Sequence, residues 1–230
     1  MSANPKELAG RHAADLAQSG MTLGLGTGST VYFTLVRLAE RIREEGLEVR
    51  GVPTSVDTET KAREMGIPLL TLDEAEQLDL TIDGADEIDG DFQMIKGGGG
   101  ALLREKVVAS ITTRQVIVVG RDKVVDRLGL GFLLPVEVTP FALPTVERAL
   151  RKLGCEPQLR QTEHGAPYTT DNENRILDCK FPEGIADPRQ LELDIDRIPG
   201  VVESGLFIDL AHVCVIGDPE GTIEVREKGA

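Results

Sequence analysis

Short apolar runs alternate with longer amphipathic stretches along the first half of the chain. Asn4, Pro5 and Glu7 read as a helix start: Asn caps, Pro suits the first turn, and the acid sits three residues on. Leu8, Ala9, Ala13 and Leu16 then recur at helical spacing and predict a helix up to Gly20. MTLGL predicts a short strand, and the loop GLGTGST leads into a helix over about 30–45. LEVRGVP predicts a strand, SVDTETKAREMG a helix, and IPLLTL and LDLTID two more strands. Beyond a run of four glycines, ALLREKVVAS predicts a helix and QVIVVG a fully buried strand. Such alternation marks an α/β fold with a parallel sheet covered on both faces.

The rhythm changes near LGLGFLLPVEVTP. FALPTVERALRKLG predicts a helix. CEPQLRQ, APYTT and RILDCKF predict strands separated by HG and DNEN turns, and PRQLELDIDRI predicts a second helix. This is the pattern of a small α+β domain over 131–204. The final VCVIGD and TIEVRE predict strands that rejoin the first sheet, which makes the large domain, 1–130 plus 205–230, discontinuous.

Composition narrows the function. At 230 residues the chain has length for one large or two modest domains, given roughly 100–200 residues per domain. A net charge of −14 and an aromatic content of 3% argue against nucleic acid, which recruits basic clusters and stacking platforms. Cys155, Cys179 and Cys214 are far apart and form no CxxC pair, so reduced thiols are expected rather than disulfides or zinc. No apolar run approaches the ~18 residues of a membrane span, and the N-terminus lacks an apolar signal core. A cytoplasmic protein is expected.

Three stretches carry candidate chemistry. Gly24–Thr30 lies between a strand and a helix, where free N–H groups and the helix dipole favour an anion. It is not a dinucleotide fingerprint, since Ser29 stands where the third glycine belongs. Nor is it a Walker loop, since Gly28 rather than Lys precedes Ser29. A small phosphorylated ligand fits it better, and a tight turn with incidental hydroxyls is the structural alternative. Asp83 and Asp86 in DGADEIDGD end a strand on the same sheet edge, where ligands bind in open α/β folds. Ala85 and Glu87 break the calcium-loop pattern and Thr81 breaks a DxD nucleophile; a two-carboxylate magnesium site is left open. Glu87, Asp89 and Asp91 read as solvated turn residues.

The third stretch, KGGGGALLREK, places Lys96 before Gly97–Gly100 and Glu105 one turn into the next helix. Four successive glycines cost chain entropy, so close approach by a ligand is the better explanation. Arg104-Glu105-Lys106 reads equally well as a charged helix surface. An anion cradle, a lysine to stabilise an oxyanion and carboxylates for acid–base work together suit proton transfer beside a carbonyl. His12, His164 and His212 stand alone, and there is no cofactor motif.

GLGTGST, DGADEID and KGGGGALLREK, in this order and spacing, resemble type A ribose-5-phosphate isomerases. The resemblance continues through PVEVTPFA, DNENRILDCKF and GVVESGLF. It implies a Rossmann-like domain with a smaller α+β lid, and a homodimer or dimer of dimers. The implied reaction interconverts D-ribose 5-phosphate and D-ribulose 5-phosphate through an enediolate, in the non-oxidative pentose phosphate branch, without metal or cofactor. By motif, Glu105 matches the base, Asp83 and Asp86 the carboxylates that position sugar hydroxyls, and Lys96 the support for oxygen charge. Thr27, Gly28, Ser29 and Thr30, Gly84 and Ala85 of DGAD, and Gly97, Gly98 and Gly99 match substrate-binding positions. Lys123 matches a substrate-binding lysine, although Gly120 and Asp122 depart from the family's D-x-S-K, and Lys6 matches an N-terminal lysine near the ligand. An isomerase-deaminase of amino-sugar phosphates and a non-catalytic phosphosugar sensor are the competing readings. The first lacks support from the unbroken DGADE, KGGGGA and REK series, and the second from the absent helix-turn-helix segment.

Overall fold

Asn4 accepts a hydrogen bond from the Lys6 N–H and opens the first helix, α1 (Pro5–Ala14). The structure, a computed structural model, describes residues 4–229. α1 is followed by β1 (Thr22–Leu25), α2 (Val31–Glu45), β2 (Arg50–Pro53), α3 (Val56–Glu64) and β3 (Leu78–Asp83). Next come two short strands, β4 (Glu87–Ile88) and β5 (Met94–Ile95), then α4 (Leu102–Ser110) and β6 (Thr112–Gly120). The chain continues through β7 (Leu134–Val138), α5 (Leu143–Lys152), β8 (Glu156–Leu159), β9 (Arg175–Lys180) and α6 (Pro188–Asp196). It closes with β10 (Val201–Ser204), β11 (Leu206–Phe207), β12 (Val213–Gly217) and β13 (Ile223–Glu227).

Two compact units result. The first holds the described residues up to Ala85, Arg104–Val124 and those from Leu210 onward. Its sheet runs β13-β12-β6-β3-β1-β2, parallel throughout except for β13, which pairs antiparallel with β12. The interior strands are buried on both faces, as a parallel sheet between helices requires. Leu23, Leu25, Leu35, Leu38, Val116 and Val215 anchor this core, and each such side chain contributes about 1.5–3 kcal/mol by leaving water. The carboxyl ends of β1, β2, β3 and β6 all point the same way, so their outgoing loops share one edge.

The second unit comprises Asp86–Leu103 and Val125–Asp209. It contains an antiparallel sheet, β10-β7-β9-β8, over a core that includes Leu134, Val136, Leu150, Leu177 and Ile195. A second sheet, β11-β5-β4, is built from two-residue strands too short to show any periodicity in sequence.

Four expectations are corrected. The first helix stops at Ala14 rather than Gly20, because the Arg41 guanidinium takes the Ala14 and Ala17 carbonyls that a longer helix would use itself. IPLLTL makes only a bridge between Gly51 and Leu69; Thr71 and Glu74 then cap each other and turn the chain. APYTT makes only a bridge between Gln161 and Pro167, whose ring nitrogen has no proton to extend the ladder. Glu87 is not a solvated turn residue. It is 2% exposed, and its two carboxylate oxygens accept the N–H groups of Gly129 (2.6 Å) and Gly131 (2.9 Å). Asp91 is exposed as expected, while Asp89 is partly buried and accepts the N–H groups of Asp91 and Gln93 to shape the β4–β5 turn.

All three cysteines are buried free thiols. Burial pushes the Cys214 thiol up to about 12, so folding stabilises its protonated form. In the unfolded chain the thiol ionises in the ordinary range, near 8.5. The Cys214 contribution to stability is therefore full below that range and is lost as pH climbs towards about 12. Denaturant titrations of the native protein and Cys214→Ala at pH 8 and pH 10.5 check this. The native protein should lose more stability than the variant over that interval, and equal losses would contradict it.

Candidate active site

In the first unit, the loop leaving β1 folds tightly onto the end of β3. Gly26 N–H bonds the Ile82 carbonyl, and a Cβ at Gly26 would lie only 2.2 Å from Asp83 Oδ1. That approach lets the N–H groups of Thr27 (3.0 Å) and Gly84 (2.7 Å) both reach Asp83 Oδ1. Asp83 is fully buried and held in one orientation. Gly84 and Ala85 follow it on the same strand end and are partly buried.

Thr27 joins a set of hydroxyls that sequence reading did not single out. Its Oγ1 donates to Ser55 Oγ at 2.8 Å and lies 2.8 Å from Thr54 Oγ1. Ser55 Oγ donates to Thr58 Oγ1, which donates to the Gly26 carbonyl at 2.8 Å. Thr54 also donates to the Leu25 carbonyl. The relay ends on backbone carbonyls, so its direction is fixed, and it locks the loop from below. Its one legible signal was Ser55, a helix-cap type at the start of α3. Gly28 sits at φ +122°, in the left-handed region that favours glycine. Ser29 and Gly28 are exposed at the loop tip, Thr30 precedes α2, and Lys6 Nζ donates to Ser29 Oγ at 2.9 Å.

Glu105 is 5% exposed, so the reading of Arg104-Glu105-Lys106 as a plain charged surface does not hold for its middle member. Val108, three residues on and on the same face of α4, packs against Gly24: a Cβ there would meet Val108 Cγ1 at 2.7 Å. α4 runs down to the start of β6, beside the start of β3. Glu105 therefore stands ~4.5 Å nearer the carboxyl edge of the sheet than Val108. Lys123 also belongs to this edge, in the turn that follows β6. The turn is fixed by Arg121, whose guanidinium binds Asp218 (2.8 Å) and Glu224 (2.6 Å). Arg121 holds the Asp218 carboxyl below its usual range, and Arg226 together with Arg121 does the same for Glu224. Lys123 Nζ is 4.0 Å from Asp122 Oδ2.

The remaining sequence-selected residues lie in the second unit. Asp86 Oδ2 accepts the Gly98 N–H at 2.7 Å, and a Cβ at Gly98 would lie 2.6 Å from Asp86 Oδ1. Lys96 is 2% exposed, its N–H bonds the Gly205 carbonyl, and its ammonium lies 5.3 Å from the centre of the Phe207 ring. That distance suits a cation–π contact. Gly205, from GVVESGLF, has no room for a side chain because the Lys96 carbonyl occupies it. Gly97 is buried, while Gly98 and Gly99 are exposed. Among the described residues, no group of three or more His, Cys, Asp or Glu could hold a metal ion. Likewise no helix there is long and apolar enough to cross a membrane.

Residues 50–221 match the family model for Ribose 5-phosphate isomerase A (phosphoriboisomerase A). The chain is 48% identical to Ribose-5-phosphate isomerase A of Bacillus mycoides (strain KBAB4), over 96% of this chain and 99% of that one. Its fold is similar to that of ribose 5-phosphate isomerase A from Methanocaldococcus jannaschii, with a TM-score of 0.92 at 40% identity, covering 97% of this chain and 98% of that one. It is also similar to a D-ribose-5-phosphate isomerase solved in complex with phospho-erythronic acid: TM-score 0.94, 35% identity, 98% of this chain and all of that one (100%).

The crowding at Gly26 is testable without any ligand. Gly26→Ala must displace buried Asp83 or the loop and should destabilise the protein by about 1–3 kcal/mol, seen as a thermal midpoint several degrees lower. Gly90→Ala, which meets nothing within 4 Å, should leave the midpoint within about a degree.

Proposed function

The chain belongs to the ribose 5-phosphate isomerase A family, and we propose that Glu105, Asp83, Asp86 and Lys96 carry the family's aldose–ketose isomerisation in it. The substrate is D-ribose 5-phosphate and the product D-ribulose 5-phosphate, a step of the non-oxidative pentose phosphate branch. The observation that carries the reading is Glu105, a carboxylate buried on a helix near the ligand-binding edge of a parallel sheet. A surface acid would have no reason to be there.

In the open-chain aldose, Glu105 removes the proton from C2 and the electron pair moves towards the carbonyl oxygen at C1. The resulting enediolate is planar. Glu105 returns the proton to C1, and a proton passes between O2 and O1 to complete the ketose. Lys96 stands beside the developing negative oxygen, where a preorganised cation in a dry site lowers the barrier most. Asp83 and Asp86, each oriented by backbone N–H donors, hold the sugar hydroxyls and assist ring opening. Thr27, Gly28, Ser29, Thr30, Gly84, Ala85 and Lys123 bind the substrate, and Gly97, Gly98 and Gly99 supply backbone donors near its phosphate. Gly98 has already given its N–H to Asp86, so the exposed Gly99 is the stronger donor of the pair.

The relative solved with phospho-erythronic acid supports this chemistry. A sugar-acid phosphate combines a planar carboxylate with a phosphate, the shape and charge of an enediolate intermediate. The mechanism uses no metal or cofactor. A catalytic domain of 1–130 with 205–230, a lid of 131–204, a homodimer or dimer of dimers and a cytoplasmic location belong to the same proposal.

Direct measurement of ribulose 5-phosphate formed from ribose 5-phosphate tests the function. Glu105→Gln should bind the substrate nearly normally while kcat falls at least ~10²-fold, the span of general acid–base catalysis. Near-native turnover in that variant would remove Glu105 from the base role. Exhaustive chelation should leave activity unchanged, and a loss restored by Mg²⁺ would refute the metal-free mechanism.

A further inference from the structure

The glycine run is gripped from its carbonyl side by two residues that neither motif nor spacing had marked. Arg160 Nη1 donates to the Gly97 carbonyl at 2.9 Å and to the Gly98 carbonyl at 3.1 Å. Its Nε and Nη2 bind both oxygens of Asp178, at 2.9 and 2.5 Å, in a two-point pair whose side chains are only 14% and 18% exposed. Tyr168 donates its hydroxyl to the Gly99 carbonyl at 3.2 Å, and its ring lies 5.8 Å from the Arg160 guanidinium carbon. Tyr168 N–H in turn bonds the Arg160 carbonyl, so the two residues brace each other.

Trans peptide geometry turns this grip into direction. In a planar trans peptide the C=O and the next N–H point opposite ways. Holding the Gly97 carbonyl therefore aims the Gly98 N–H away from Arg160, and that N–H meets Asp86 Oδ2. Holding the Gly98 carbonyl aims the Gly99 N–H the same way, at an exposed position. Gly97 (φ +101°) and Gly100 (φ +80°) adopt the left-handed backbone at the two ends of the run, and the Gly100 N–H closes the turn on the Gly97 carbonyl. Four glycines have too little conformational preference to hold this arrangement alone. Arg suits the task because its planar fork engages a carboxylate and two carbonyls together, which a lysine cannot do.

We propose that Arg160, clamped by Asp178 and braced by Tyr168, is a positioning residue for substrate binding. It sets the 97–98 and 98–99 peptides so that the Asp86 carboxylate and the Gly99 N–H face the sugar phosphate. This rests on the isomerase reading, and wild-type turnover of ribose 5-phosphate is the control that separates the two. With no wild-type turnover the isomerase reading fails; with wild-type turnover and unaltered variants, only the role of Arg160 fails.

The test is steady-state kinetics of Arg160→Lys and Asp178→Asn, with thermal midpoints measured alongside. Arg160→Lys keeps the charge but loses the fork. It should raise KM for ribose 5-phosphate about tenfold or more while kcat stays within about threefold, because the loss is of binding shared by ground and transition states. The inhibition constant of phospho-erythronic acid should rise by a similar factor. Asp178→Asn should move KM the same way by a smaller factor. A KM within twofold of wild type in both variants would overturn the proposal. So would equal losses of active fraction and thermal stability with KM unchanged, since that is what a merely structural residue would show. Should neither variant fold, Tyr168→Phe removes a single hydroxyl; a KM rise of about threefold supports the proposal and an unchanged KM overturns it.

Discussion

How closely the β1 loop can approach Asp83 governs the rest of the carboxyl edge. With glycine at 26 the loop lies against the carboxylate, and two N–H groups converge on one oxygen. Any side chain there would push the loop off, and with it Thr27 and the hydroxyl relay through Ser55 and Thr58. Strand registry supplies the other half of the constraint. β1, β3 and β6 run parallel with Leu25 beside Ile82 and Asp83 beside Ile117, so their loops leave at one level.

The second unit meets a similar demand differently. There a flexible glycine run must present Asp86 and one exposed N–H in fixed directions. The rigidity comes from side chains that hold the carbonyls, Arg160 and Tyr168, rather than from the run itself. Glu87 does comparable work for the 129–131 turn. Asp83 in the first unit, and Asp86 and Glu87 in the second, are each held by backbone N–H donors, which fixes orientation at low entropic cost because the donors are already ordered.

What the sequence disclosed follows from the length of its signals. The long buried strands QVIVVG and VCVIGD, the capped helix after Asn4, and the three glycine motifs each repeat one physical preference over several residues. They stand out without any partner in view. Glu87 was misread because its partners, Gly129 and Gly131, lie more than forty residues away and act through backbone alone. The Arg160 grip was hidden because its carbonyl partners lie more than sixty residues away, and the Thr54–Ser55–Thr58 cluster because it meets Thr27 only when β2 pairs with β1. IPLLTL was misread in the opposite sense: local apolarity promised a strand, but mutual capping of Thr71 and Glu74 ended it.

The central claim is that this fold moves a proton between two adjacent carbons through an enediolate. Conversion of ribose 5-phosphate in deuterium oxide, followed by NMR of the ribulose 5-phosphate formed, addresses it directly. A base such as Glu105 that exchanges with water between its two steps should leave deuterium at C1 of the product. Product free of deuterium at C1 at every stage of conversion, formed as fast by Glu105→Gln as by the native protein, would mean that hydrogen passes between the carbons without that base, and would contradict the account.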